Sequence, residues 1–123
     1  MAVRRIVANI ATPDPQACAA FYQALFGMEV VMDFGWIATL QAPGVSALVQ
    51  LSAAREGGSG TDVPALSIEV DDLDAVLHRL SDLGAAPEYG PVDEPWGVRR
   101  IYVRDPAGTL LNILSHADAG TGD

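Results

Sequence analysis

The chain contains no lysine, a single cysteine (Cys18) and only two histidines. Each scarcity removes a class of function. One thiol cannot form an intramolecular disulfide, and it suits a reducing compartment. Set among alanines on an expected helix, Cys18 reads as a small packing residue and not as a nucleophile. Cationic charge comes from arginine alone, 7 residues against 16 acidic ones, for a formal net charge of −9. Such a field repels a phosphate backbone or an anionic lipid surface, so neither nucleic acid nor membrane is expected as a partner, and a cationic or neutral small molecule is favoured. No apolar run is long enough to cross a bilayer. Met1 to Pro15 lacks the apolar centre of a secretory signal, so a cytoplasmic location is expected. His78, beside the apolar stripe of a helix, and His116, after the last strand, read as two unrelated surface histidines.

What is present is ordinary in bulk and patterned in detail. Half of the 123 residues are hydrophobic and 19% are charged, as in a single globular domain. Arg4 to Ala11 is a short run rich in Ile, Val and Ala that reads as a strand. Thr12-Pro13-Asp14-Pro15 ends it. Asp14 suits a helix N-cap, and Pro15 the first helical position, where its missing N–H costs nothing. Ala17, Ala20, Phe21, Ala24 and Leu25 recur at helical spacing until Gly27. Glu29 to Phe34, Trp36 to Gln41 and Ser46 to Leu51 follow as strands, the last two joined across Ala42-Pro43-Gly44.

A polar break from Arg55 to Asp62 then separates this set from a second one in the same order. Pro64 to Val70 is a strand. Asp71 or Asp72 caps a helix whose Leu73, Val76, Leu77, Leu80 and Leu83 share one stripe, and Gly84 stops it. Strands follow around Pro87 to Tyr89, Val98 to Arg104 and Thr109 to Leu114, with Asp105-Pro106-Ala107-Gly108 turning between the last two. Gly27 and Gly84 stand equally far after Asp14 and Asp71. The repeat predicts two copies of one βαβββ unit, each too small to bury both faces alone. The expected fold is α+β: one domain over 1–116, with modules at about 1–54 and 63–116. Their strands would form a cupped, mixed eight-stranded sheet around a cleft, with the helices outside. The small polar residues 117–123 are expected to form a flexible tail.

Asp14 with Phe21-Tyr22 and Leu25-Phe26-Gly27, then Val70-Asp71-Asp72-Leu73, Trp96-Gly97-Val98-Arg99, and Asp105-Pro106-Ala107-Gly108 before Asn112 make a series. In order and spacing it resembles the glyoxalase/bleomycin resistance/dioxygenase family, the vicinal-oxygen-chelate superfamily, over residues 3–116. The resemblance implies the fold described above and commonly a homodimer. It covers activities from isomerases, dioxygenases and lyases to non-catalytic drug binders. It also implies four metal ligands on inner strands, and carried over, those positions are Val7, Gln50, Ala65 and Asn112. Val and Ala have no donor atoms, and two neutral amides hold a divalent ion poorly without carboxylate or imidazole partners. No metal, other cofactor or catalytic residue is therefore assigned.

Strand alternation groups the remaining candidates. If Val7 and Ala65 face the cleft, so do Asn9, Ser67 and Glu69, while Ile6, Ile10, Leu66, Ile68 and Val70 pack under the helices. Gln50 and Asn112 point inward beside Leu48 and Leu110. Trp36 and Trp96 are suited to stacking on a flat ligand, and equally to a core or dimer interface. Arg99 would meet a ligand carboxylate, pair with Glu69, or form another structural ion pair. Tyr102 could donate a hydrogen bond, although alternation alone does not decide which side of the 98–104 strand faces inward. The function expected is metal-independent binding or sequestration of a small organic molecule, such as an antibiotic of the bleomycin kind. The alternative is a glyoxalase- or dioxygenase-like lyase or isomerase. It would use an unconventional metal site, or Glu69 as general base with Tyr102 or Asn112 polarising a carbonyl.

Overall fold

A strand covered by a helix on one face sends alternate side chains to two different environments, and its sequence must satisfy both. In the computed structural model, which describes residues 1–44 and 50–116, this rule organises every central strand. The elements are β1 (Val3–Ala11), α1 (Pro15–Phe26), β2 (Glu29–Asp33), β3 (Ile37–Gln41), β4 (Gln50–Ala54), β5 (Leu66–Val70), α2 (Leu73–Asp82), β6 (Tyr89–Asp93), β7 (Val98–Arg104) and β8 (Leu110–His116). The strands run β2-β3-β4-β1-β5-β8-β7-β6 in one eight-stranded mixed sheet, so the class is α+β. Among the described residues no helix is long and apolar enough to cross a membrane.

The chain forms two compact units, Val7–Ala65 and Met1–Ile6 together with the chain from Leu66. In the first, β1 runs parallel to β4, while β4–β3 and β3–β2 are antiparallel. In the second, β5 runs parallel to β8, while β8–β7 and β7–β6 are antiparallel. The same βαβββ connectivity thus occurs twice, as the repeat predicts. The opening residues belong with the second unit because the Ala2 N–H donates to Asp71 Oδ1 at 2.8 Å and the Asp71 N–H to Ala2 O at 3.1 Å. The bond from Ala2 also holds the Asp71 carboxyl below its ordinary pKa.

Capping chemistry sets both helices. Asp14 Oδ1 accepts from the Ala17 N–H, Pro15 occupies the first turn, and Gly27 closes α1 in the left-handed conformation. Asp72, not Asp71, is the cap of α2, accepting from the Ala75 N–H. Each helix covers one face of its own strands. Ala19 and Met28 join Ala38 and Leu40, with Tyr22 and Leu51 against them. Leu73 joins Val70, Ile101 and Val103, with Val76, Leu77, Leu80, Ile68, Leu111 and Ile113 packed around.

Three strands run at least two residues past their expected ends. β4 continues to Ala54, because α1 packs over this part of the sheet and selects a small residue at the buried Ala53, which pairs with Ala38 on the helix side. That pressure puts a residue of weak strand propensity into a strand. β6 extends through Gly90-Pro91 to Asp93, and β8 reaches His116. Ile6 is 57% exposed instead of lying under a helix, since α1 packs chiefly on β2, β3 and β4. Residues 46–49, with Leu48, and the tail 117–123 lie outside the described residues.

Leu40 and Ile101 are fully buried, one in each core cluster. Leu40→Ala is expected to lower unfolding free energy by about 2–5 kcal/mol, and Ile101→Val by about 0.5–1.5 kcal/mol, in urea titrations. Asp71→Asn should leave global stability nearly unchanged while speeding hydrogen exchange at the Ala2 amide. In the unsubstituted protein the same loosening should appear only as pH falls through the lowered Asp71 pKa, because the tie requires the ionised carboxylate.

Candidate functional site

The faces turned away from the helices carry the polar residues, and each unit has its own set. In the second unit Ile101, Val103, Leu111 and Ile113 point to α2, so alternation sends Arg100, Tyr102, Leu110, Asn112 and Leu114 to the opposite face. The register aligns Ser67, Asn112, Tyr102 and Tyr89 in one row across β5, β8, β7 and β6. Asn112 Nδ2 donates to Ser67 Oγ at 3.1 Å. Asn112 is 8% exposed, and its Oδ1 is fully buried without a hydrogen-bond partner. Such an acceptor costs about 1–3 kcal/mol until a donor arrives.

Beside this row lies a buried guanidinium. Arg100 Nε pairs with Glu94 Oε2 at 2.6 Å, both side chains being 3% exposed. Tyr89 Oη donates to the same carboxylate oxygen at 2.8 Å, and Arg100 Nη1 donates to Tyr102 Oη at 3.0 Å. The rings of Tyr102, Trp96 and Tyr89 lie 4.8, 4.9 and 5.4 Å from the guanidinium carbon. Gly90 is required beneath this cluster: at φ +79° a Cβ there would collide with the Arg100 carbonyl. Charge and donors are thus matched inside the protein, as a buried ion pair requires.

A third group is formed by Glu69. Its Oε1 lies 3.1 Å from Arg5 Nε and its Oε2 2.7 Å from His116 Nδ1, with the carboxylate mostly buried and the imidazole half-exposed. A carboxylate in this position orients an imidazole and fixes which ring nitrogen carries the proton. His116 is therefore no isolated surface residue, as expected from sequence, but part of a carboxylate–imidazole pair. The strand placement of Glu69 was readable, whereas its partner 47 positions away was not. Arg99 does not meet Glu69 either; it lies 3.5 Å from Asp93 at the surface, on the opposite side of β7 from Tyr102 and Asn112.

In the first unit the residues facing away from α1 include Asn9, Ser52 and Thr39, aligned across β1, β4 and β3. Thr39 Oγ1 and Ser52 Oγ share a buried 2.8 Å hydrogen bond. Gln50 Nε2 donates to Gln41 Oε1 at 2.7 Å, and the Asn9 N–H to Ala65 O at 3.0 Å. Trp36 follows the β2–β3 turn, its ring 6.4 Å from Phe34. That turn is locked: Gly35 O accepts from Gln16 Nε2 and Arg55 Nη1, both at 3.0 Å.

Of the residues singled out from sequence, Ser67, Asn112 and Tyr102 thus come together in one row, with Glu69 next along β5. Trp96 packs on Arg100, while Asn9, Trp36 and Gln50 belong to the other unit. The implied divalent ion finds no matching donors. Val7 and Ala65 have none, and the Gln50 amide already donates to Gln41. Among the described residues no three His, Cys, Asp or Glu side chains gather. The donor set does not fit such an ion.

The family model described as Glyoxalase/Bleomycin resistance protein/Dioxygenase superfamily matches residues 4–113. No curated protein matches the chain. Among solved structures, the NAD-dependent benzaldehyde dehydrogenase from Legionella pneumophila is 13% identical, over 90% of this chain and 98% of that one, with a TM-score of 0.70. A glyoxalase/bleomycin resistance protein/dioxygenase superfamily member from Vibrio splendidus is 16% identical (93% and 99%, TM-score 0.66). The Streptomyces coelicolor methylmalonyl-CoA epimerase, in complex with 2-nitronate-propionyl-CoA, is 22% identical (94% and 99%, TM-score 0.68). At these identities the likeness is one of fold.

Removing one partner of the buried pair strands a charge. Glu94→Ala is expected to destabilise by about 3–5 kcal/mol in chemical denaturation. The double variant Glu94→Leu with Arg100→Met should recover most of that loss. A double variant no more stable than Glu94→Ala would contradict the assignment of the loss to an unpaired charge.

Proposed function

The chain belongs to the glyoxalase/bleomycin resistance protein/dioxygenase superfamily, and we propose that within it this protein binds and sequesters a small organic molecule without a metal ion. One observation carries the reading. Asn112 presents a buried carbonyl oxygen with no donor, in a row of neutral polar side chains on the sheet face away from α2. A protein interior keeps such an atom unsatisfied only at a cost, and a ligand N–H or O–H would remove it. Ser67 and Tyr102 flank it with hydroxyls, a lining suited to orienting a neutral or cationic molecule. Trp96, whose ring packs on Arg100 beside Tyr102, extends the same proposal to a further contact.

Charge narrows the ligand class. A net charge of −9 supplied with arginine only disfavours a polyanion such as the CoA derivative held by the Streptomyces epimerase, and favours a cationic antibiotic of the bleomycin kind. In this reading the protein acts as a homodimer in the cytoplasm, a reducing compartment that suits the free thiol of Cys18.

The Glu69–His116 contact favours a second reading, an acid–base enzyme. In the tautomer in which Nδ1–H donates to Glu69, His116 Nε2 would serve as the base for a proton next to a carbonyl.

The two readings separate experimentally. Asn112→Leu removes the orphan acceptor, so the unliganded variant should melt a few degrees higher, each 1 kcal/mol amounting to about 3–6 °C for a domain of this size. The same variant should lose the melting-temperature rise that bleomycin gives the unsubstituted protein. No rise with bleomycin or other cationic antibiotics, or an Asn112→Leu variant that melts lower, would sink the binding reading. Deuterium uptake from solvent into methylmalonyl-CoA, abolished by Glu69→Gln and indifferent to chelators, would put the enzyme reading in its place.

A further inference from the structure

Helices α1 and α2 hold equivalent places in the two repeats, yet their outer surfaces differ in kind. Outward positions of α2 carry Asp74, His78, Arg79 and Asp82, all exposed. The twelve residues of α1 carry no charge at all. Its exposed residues include Phe21, Leu25 and Phe26, at 59%, 60% and 62% exposure. Gln16 and Gln23 are its only strongly polar residues, and an uncharged outer face with three large exposed apolar side chains marks an interaction surface. The patch is preformed, since Tyr22 bridges it: its ring packs edge-on to Phe21 at 5.5 Å and stacks on Phe26 at 6.1 Å. Val30, which pairs with Leu40 on the helix side of the sheet, is exposed as well.

We infer that this face of α1 is covered by the same face of a second copy of the chain, an inference that rests on the homodimer reading above and locates its contact. Charge is the first reason. Two chains of −9 repel each other over most of their surfaces, but between Asp14 and Glu29 there is no charged side chain. Two copies meeting at α1 therefore bring no like charges together at the centre of the contact. The second reason is self-complementarity, which a two-fold contact demands of a single patch. Exposed Ala17, Ala20 and Ala24 lie beside Phe21 and Leu25, so one surface offers both knobs and shallow seats for the other copy. Area is the third. Phe21, Leu25, Phe26 and Val30 with their alanine neighbours offer roughly 500–700 Å² per copy, close to the ~800 Å² per partner of standard interfaces.

The neighbouring sheet edge is a poorer contact between copies. Antiparallel pairing of β2 with itself would set Glu29 against Asp33 at both ends, and like charges facing across a strand pair are destabilising.

Sedimentation equilibrium of the full chain tests the inference. The unsubstituted protein should associate to twice its 12.9 kDa mass. Phe21→Glu with Leu25→Glu should raise the dissociation constant by at least about 100-fold while leaving the far-UV circular dichroism unchanged, because both side chains are exposed in the single chain. Val3→Glu, an exposed apolar residue of β1, is the control and should leave association intact. In a Cys18→Ser background, Ala24→Cys should oxidise to a disulfide-linked dimer only when Phe21 and Leu25 are retained. A chain that stays monomeric at every concentration overturns the inference and the homodimer reading together. A dimer that survives the double glutamate variant overturns the inference alone and leaves the dimer to another surface.

Discussion

A guanidinium can leave water only if its charge and its N–H groups are met inside the protein, and Arg100 imposes that condition on the whole β6–β7 end of the sheet. Glu94 approaches to 2.6 Å, Tyr89 and Tyr102 bring their hydroxyls inward, and the Trp96 ring stands 4.9 Å from the guanidinium carbon. Position 90 must have no side chain, so that the backbone can approach Arg100. These requirements fix the loop between β6 and β7, and with it the row that leads from Tyr89 through Tyr102 to Asn112. Burying an ion pair is a weak way to add stability, because desolvation offsets most of the attraction. Its physical consequence here is order: few alternative arrangements satisfy so many groups at once.

The two repeats spend their helix-free faces differently. In the first, Thr39 and Ser52 satisfy each other, and Gln41 and Gln50 pair as amides. In the second, the equivalent row ends on an amide that donates to Ser67 and keeps an unmet oxygen. Two copies of one architecture thus carry one closed polar network and one open one. The asymmetry argues for a ligand on the second, since packing alone would have closed both. The helices reverse the roles: α2 is finished toward water with charges, and α1 is left apolar. Each repeat is thus left incomplete in its own way: the first on the outer face of α1, the second on the face away from α2.

Local chemistry was legible in the sequence, and long-range chemistry was not. Asp14-Pro15 and Gly27 mark a helix by capping geometry that involves only neighbouring residues, and the recurrence of that pattern from Asp72 gives the second unit. The fold follows from these signals and from strand periodicity. Ser52-Ala53-Ala54 was not legible as strand, because Ala53 answers to the helix packed on one face and Ser52 to its hydrogen bond with Thr39 on the other, neither to strand propensity. Arg99 and Arg100 are identical in type, so no one-dimensional pattern tells the buried cation from the surface one. Ile101 and Val103 settle the matter only once α2 is seen to cover them. The role of His116 is hidden for the same reason, since its partner Glu69 is adjacent only across paired strands.

The positions at which the resemblance implies metal ligands bear on the binding reading. A divalent ion would make Asn112 Oδ1 a useful atom, since a carbonyl oxygen is a competent ligand when carboxylates share the charge. Val and Ala, at the implied ligand positions 7 and 65, have no side-chain donor to give that help. An organic donor is the partner that such a neutral acceptor can still serve. The demand on the ligand then changes from Lewis acidity to shape and hydrogen bonding, which places fewer constraints on the surrounding strands. Leu110 and Leu114 can flank Asn112 on the same face of β8, where they would be poor neighbours for an ion but good ones for an apolar ligand surface. In the proposed reading, the composition around Asn112, more than the strand order, selects what the protein would hold.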